Sequence, residues 1–401
     1  MSDARPPLVL LIAGLALNLL VVALLCCNIA WDSVEYVTLA RNLAAVNVYS
    51  LDAVTPSGWR LPVYPLILAG LIKLFGSHES IYYLQAIINT CTLLIVYRIA
   101  RRLSPQTSPY LIVLSTLLLS LPLVASSAWL LTESVNAFLV CAAFLLLLKE
   151  RYVFAGILFG LAALCRVENV VIALVLIILL RNLRHSLAFA LPLVLILTPW
   201  LVRNYSIYER VTLTDPAYTV FNLAVGTSPE GVNDPLFLAA YRFRDGGTNE
   251  ERKAYTSLVI RTYFERWREH PLSVLALKLR RMLKAAAYSL DSFLSGDRWA
   301  FGRLLNERRY APALLRLLVM ILYGPVFLGL ALIGFLRCRR ARRLVIPFAV
   351  MMTTGFVSYI EQRYLIASQL LLIPLFVIGA ESLIKDQIFL LWTRTPSTKN
   401  V

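Results

Sequence analysis

Residues 8–30, LVLLIAGLALNLLVVALLCCNIA, run without a single charge and end directly on Trp31-Asp32. About 20 apolar residues carry an α-helix across a bilayer core, so this run reads as a span that emerges at Asp32. It exceeds a signal-peptide core and shows no small-residue cleavage site, so it reads as a retained helix. Similar runs follow at 80–97, 110–127, 129–148, 152–165, 167–182, 186–202, 312–336, 344–360 and 364–383. Ten membrane helices are therefore expected. The composition agrees: 59% of the 401 residues are hydrophobic and 15% charged, against about 45–50% and about 25% in soluble domains. The fold class is all-α and polytopic. A small soluble enzyme, a disulfide scaffold and a coiled coil are excluded.

The 39 Lys and Arg outnumber the 23 Asp and Glu and give a formal charge of +16. In a soluble chain that excess would suggest nucleic acid. Here basic residues gather in short pieces between spans, as they do on the cytoplasmic side of membrane proteins. Those pieces carry Arg5, then Arg98, Arg101 and Arg102, then Lys149 and Arg151, then Arg181 and Arg184. They also hold Arg337, Arg339, Arg340, Arg342 and Arg343, and finally Lys385, Arg394 and Lys399. The opposite pieces hold only Arg41, Arg60, Lys73, Arg166 and Arg363 outside the long 203–310 loop. This places the N-terminus inside and makes the chain an integral multi-pass protein of the plasma or inner membrane. Merging 152–182 into one span would put the five-arginine cluster outside. Membrane lipids are expected partners, and nucleic acid is not. The six cysteines lie in or beside apolar runs, which gives no disulfide framework or thiolate metal site.

Three parts follow. Residues 1–202 form a seven-span module whose first outer loop covers 31–79. Residues 203–310 form an extracytoplasmic loop, and 311–401 supply three spans and a cytoplasmic tail. In the first loop, the apolar stretch around Pro62 and Pro65 is too short to cross and reads as an interfacial or re-entrant helix. Within the long loop, 250–290 has helical amphipathicity and reads as helices on the outer surface.

Charges at the outer ends of the spans carry the chemistry. In WDSVEYVTLAR, 31–41, a helix puts Asp32, Glu35, Tyr36 and Leu39 on one face. Two carboxylates three residues apart at a low-dielectric boundary can raise one another's pKa, which suits a general base; the same pair equally marks an interfacial helix end. Glu133 is the only charge between Arg102 and Lys149, and an ionisable group in a span is a functional signal. Arg60 sits in TPSGWRLPVYP, 55–65, where prolines and a glycine turn the chain sharply. A guanidinium held there can grip a phosphate bidentately. Arg166, Glu361 and Arg363 join the same side. There is no phosphate-binding glycine loop, HExxH, CxxC pair or nucleophile elbow.

In order along the chain, WDSVEYVTLARNL, PSGWRLPVYPLILAGLIKLFG, LLTESVNAFL, AGILFGLAALCRVE, TPWLVRNY and EQRYLIASQLLLIPL resemble GT-C type membrane glycosyltransferases that use polyprenyl-phosphate sugars. The likeness is to the protein mannosyltransferase and aminoarabinose-transferase branch. It implies a sugar donor on a polyprenyl phosphate, a lipid, glycan or protein acceptor, and an inverting single displacement. Asp32 falls on the family's base, Glu133 on a second acidic position and Arg60 on a residue facing the donor phosphate. Arg363-Tyr364 matches an Arg-Tyr pair near the donor. Arg363, or a loop cation such as Lys278, would assist Arg60. The protein mannosyltransferases carry an adjacent Asp-Glu, whereas here Glu35 stands three residues on. The resemblance leaves a divalent cation between Asp32 and Glu133 open. A transporter or flippase of a lipid-linked sugar is the competing reading.

Overall fold

Helices make up most of the computed structural model, which describes residues 5–25, 31–244, 246–287, 318 and 321–394; no named strand occurs among them. The first part comprises α1 (Arg5–Leu25), α2 (Trp31–Val46), α3 (Val63–Phe75), α4 (Ser80–Leu103), α5 (Pro109–Leu119), α6 (Leu121–Ser126), α7 (Glu133–Leu148), α8 (Tyr152–Ala163), α9 (Glu168–Leu179) and α10 (Leu183–Tyr208). The long loop supplies α11 (Pro216–Thr227), α12 (Pro235–Ala240), α13 (Asn249–Glu269) and α14 (Pro271–Ala287). Helices Phe327–Arg337, Ile346–Val357 and Ile366–Arg394 follow.

Among the described residues, four helices are long and apolar enough to cross a membrane: α1, α4, α10 and the Arg363–Asp386 stretch. The other expected spans are represented by shorter apolar helices, and local chemistry explains several of the differences. The run 110–127 breaks at Ser120 into α5 and α6, because Pro122 has no amide hydrogen and cannot continue the ladder. The run from 129 becomes helical only at Glu133. The pair between 152 and 182 forms two separate helices, with the turn between them holding Arg166. The non-crossing apolar stretch is α3, 13 residues long and ended by Gly76 at φ 72°; at 1.5 Å per residue it reaches only about 20 Å. The amphipathic region 250–290 is α13 and α14, parted at Pro271. Its last residues, the end of the first span with Cys26 and Cys27, and 312–317 and 319–320 of the eighth expected span lie outside the described residues.

The bundle is tied internally by neutral polar groups. Asn89 donates to Asn18 Oδ1 at 3.2 Å and to the Leu123 carbonyl at 2.9 Å. Gln85 donates to the carbonyls of Ser127 and Trp129 and accepts from the Tyr64 hydroxyl. These bonds join α1, α3, α4 and the 121–129 turn without placing a charge in the apolar interior, where an unpaired one is expensive. Helix Phe327–Arg337 packs tightly on the last helix, since a Cβ at Gly334 would clash with the Leu375 carbonyl.

The two ends of the bundle differ. One end joins Arg102 to the Leu148 carbonyl, Ser104 to Glu381 and Arg337 to Asp386, and stacks Tyr152 on His185. The opposite end gathers α2, the 55–62 turn, the starts of α3 and α7, the 164–168 turn and the 358–365 segment. Ser33 donates there to the Leu130 carbonyl, and the Val63 amide to the Leu164 carbonyl.

Candidate active site

Arg60 is the hub of the second end. The turn that carries it is fixed by neighbours far away in sequence: the Gly58 amide donates to the Tyr208 hydroxyl at 2.7 Å, and the Tyr49 hydroxyl to the Arg60 carbonyl at 3.0 Å. Arg60 is thereby turned inward, 7% exposed. Its Nε donates to Glu35 Oε2 at 2.5 Å, Nη2 to Asp32 Oδ1 at 2.6 Å and Nη1 to the Tyr218 hydroxyl at 2.7 Å. Its guanidinium also lies over the rings of Tyr36 and Tyr218, 5.3 and 5.0 Å from their centroids. The helical face expected for Asp32, Glu35 and Tyr36 is what delivers all three. Trp59 Nε1 donates to the remaining Glu35 oxygen at 3.2 Å, and Arg244 approaches that oxygen at 3.9 Å.

Arg363 closes the other side of Asp32. Its Nη2 donates to Asp32 Oδ2 at 2.8 Å, its Nε to Glu361 at 2.5 Å, and its Nη1 stands 3.9 Å from Glu133 Oε1. Arg166 donates to the same Glu133 oxygen at 3.3 Å and to Glu168 at 3.0 Å. Arg166 and Arg363 both lie on the Tyr364 ring, at 4.3 and 5.5 Å. The result is a chain of alternating charge, Glu35–Arg60–Asp32–Arg363–Glu133–Arg166–Glu168, drawn from residues more than 300 positions apart. Asp32 retains 22% of its side-chain surface, so a hydroxyl can reach it. Outside Arg244 a cavity of about 290 Å³ opens, walled also by Leu51, Tyr208, Phe243 and Thr248.

Burial acts to raise the Asp32 carboxyl, but the guanidinium groups of Arg60 and Arg363 override it and hold the group well below the ordinary carboxylate range. Glu35 goes the other way. Burial lifts it above its ordinary value, and Arg60 offsets only part of the rise. The Tyr218 hydroxyl is pushed up to about 12, chiefly by burial, and stays a neutral donor or acceptor at physiological pH.

Lys278, expected to help at the phosphate, stands elsewhere. Its Nζ donates to the carbonyls of Val357, at 3.1 Å, and Ser358, and lies 5.8 Å from the Tyr263 centroid. The amphipathicity of α14 explains this. Its inward face is Val274, Lys278, Arg281 and Ala285, while Leu272, Leu279 and Leu283 are exposed. The last carbonyls of helix Ile346–Val357 have no intrahelical partner and attract a cation. Arg281 likewise caps α11 through the carbonyls of Val225, Gly226 and Ser228. Gly226 is needed at this junction, because a Cβ would clash with the Ser358 carbonyl and come within 2.6 Å of Lys278 Nζ. Lys278 therefore supports the segment leading to Arg363. Burial, with Arg281 nearby, pulls its ammonium down to about 7.

Sequence reading missed Trp59, Glu168, Tyr218 and Arg244. Trp59 and Glu168 stand beside residues already singled out and could have been found by adjacency; Tyr218 and Arg244 carry no such signal. A divalent cation does not fit the donor set. Both Asp32 oxygens are held by guanidinium groups, and Glu133 Oε2 is the one site oxygen buried without a hydrogen-bond partner among the described residues. Such an ion asks for about six oxygens. No group of three or more acidic, His or Cys side chains able to hold a metal occurs among the described residues.

Residues 56–202 match a family model described as dolichyl-phosphate-mannose-protein mannosyltransferase. The match supports a GT-C type glycosyltransferase family and, with the apolar helices, an integral membrane glycosyltransferase. The matched interval contains Arg60, Glu133 and Arg166 and stops short of Asp32 and Arg363 on either side. Comparison with curated proteins gives no match.

Proposed function

We propose that the chain transfers a sugar from a polyprenyl-phosphate-linked donor to an acceptor hydroxyl at the extracytoplasmic end of a ten-span bundle. The observation that carries the reading is the Asp32 carboxylate set between Arg60 and Arg363, a base beside two phosphate-binding groups. In a single displacement the acceptor oxygen attacks the anomeric carbon and its proton passes to Asp32. The bond from that carbon to the phosphate oxygen breaks, and the phosphate leaves with the electron pair. Inversion follows, because attack and departure occupy opposite faces. Arg60 and Arg363 stabilise the charge that grows on the phosphate, the preorganised electrostatic contribution that is usually the largest in catalysis.

The remaining residues hold these three. Glu35 and Tyr218 fix the plane of the Arg60 guanidinium. Glu361 and Glu133 flank that of Arg363, and Tyr364 lies beneath it and Arg166. The cavity beside Arg244 has room for a hydroxyl-bearing acceptor arriving from the outer loops, while the lipid tail stays among the spans. The pattern of basic residues supports the sidedness, with the N-terminus in the cytoplasm.

The test is transfer of labelled sugar from a polyprenyl-phosphate donor in membranes, comparing wild type with Asp32→Asn. Loss of transfer in the variant is expected; transfer at the wild-type rate would overturn the assignment of the base. Movement of the lipid-linked sugar across the bilayer with no transfer would make the chain a flippase instead.

A further inference from the structure

Both oxygens of the proposed base are already occupied. Arg60 Nη2 holds Asp32 Oδ1 at 2.6 Å and Arg363 Nη2 holds Oδ2 at 2.8 Å. A carboxylate gripped in this way has little basicity left, because each charge-assisted hydrogen bond stabilises the ionised form. The same two guanidinium groups are the ones proposed to hold the donor phosphate. Arg60 is 7% exposed, and Glu35, Asp32 and Tyr218 take one N–H on each of its three nitrogens. A phosphate that approaches Arg60 and Arg363 from the side of Asp32 competes with that carboxylate for the N–H groups it holds.

We infer that Asp32 has a second role: it is the internal competitor of the donor phosphate for Arg60 and Arg363, so the donor must bind before Asp32 can act on the acceptor. This rests on the donor reading above. With Asp32 alone, the two arginines are its counter-ions and the base is silent. Donor phosphate draws them away in part, and Asp32 regains its affinity for a proton.

Charge is conserved through the chemical step. A sugar-linked polyprenyl phosphate is a diester with one negative charge, and the departing monoester gains a second. The new charge appears on the phosphate as the acceptor proton neutralises Asp32. One unit of negative charge thus moves from the carboxylate to the leaving group, while the cations stay between them. No group has to enter or leave the buried cluster to balance it. The held state also protects the base when no donor is present, since water offered to Asp32 meets a carboxylate that does not take its proton.

The consequence is a variant that binds better while it works worse. Asp32→Asn keeps the shape of the side chain and removes the competing charge, so a fluorescent polyprenyl monophosphate should bind the full-length purified variant about tenfold more tightly than wild type. A tenfold change is about 1.4 kcal/mol. Asp32→Ser serves as the second variant should the amide distort the cluster, and thermal melting confirms that both are folded. Inorganic phosphate added as competitor separates headgroup from tail: the tightening should appear in its affinity too. Adding Arg363→Met to Asp32→Asn should abolish the gain. Binding to all forms with equal or weaker affinity in both single variants would overturn the exchange and leave the donor reading standing. Absence of binding to every form would overturn the donor reading and the exchange with it.

Discussion

Two sets of arginine–carboxylate pairs lie in the same half of this molecule, and they are built differently. In the long loop, Arg252 pairs with Asp215 at 2.8 Å and spends its other nitrogens on the carbonyls of Phe243, Gly246 and Gly247. Arg266 pairs with Asp234 at 2.6 Å and takes the Ala224 carbonyl and the Thr227 hydroxyl. Among the described residues each of these arginines has one carboxylate, and its other hydrogen bonds go to neutral carbonyls and a hydroxyl. At the bundle end, Arg60, Arg363 and Arg166 are each divided among two or more carboxylates. The first kind of site is a rivet. The second shares each cation among several carboxylates, the arrangement on which the proposed exchange with a donor phosphate rests.

Four substitutions sharpen or break that contrast. The largest effect is expected for Asp32→Asn, with transfer reduced about 10³–10⁴-fold, in the upper range for loss of a general base; a fall below tenfold in a membrane transfer assay would place the base elsewhere. Arg252→Met should cost the fold about 3–5 kcal/mol, because Asp215, 2% exposed, would remain buried and unpaired. Thermal unfolding in detergent measures this, and donor affinity per folded molecule should be unchanged; a selective loss of donor use would erase the distinction between the two sets.

Arg363→Met should lower the transfer rate about 10²-fold, the scale of losing one preorganised donor to a developing anion, with donor affinity reduced and acceptor affinity kept. The smallest effect is expected at Lys278. Its folded pKa of about 7 lies below the ordinary lysine value, so between about pH 7 and 10 the unfolded chain binds more protons than the folded one. Wild-type stability relative to Lys278→Met should therefore rise across that window, by at most about 1.4 kcal/mol per pH unit. The full cost of the charged form is present below pH 7. Melting temperatures of the two proteins at pH 6.5 and 9 test the sign, and a wild-type melting temperature that is higher relative to the variant at pH 6.5 than at pH 9 would reverse the assignment.

Much of this was legible before any coordinates. The uncharged runs announced membrane helices because hydrocarbon tolerates little else. Asp32, Arg60, Glu133 and Arg363 stood out because charges beside such runs are few, and the structure brings all four together. Helix lengths were less legible: Pro122 splits one run and the 129–132 stretch delays another, details that hydropathy averages away. Tyr218 was invisible because an aromatic residue in an aromatic-rich loop carries no positional signal, and its contact with Arg60 spans 158 residues. The placement of Lys278 was illegible for a complementary reason. A cation on an amphipathic helix suggests an anion, yet the partners of Lys278 are main-chain carbonyls, which every sequence contains and none advertises.

The absent side chain at Gly226 reaches further than its own turn. It lets α11, α14 and the 357–359 stretch meet at one point, so the outer loop and the final pair of helices are machined to a common fit. A chimera that imported the 203–287 cassette from a relative bearing any larger residue at 226 would displace the Ser358 carbonyl and carry Arg363 out of reach of Asp32. Recombination in such a chain has to move both parts or neither.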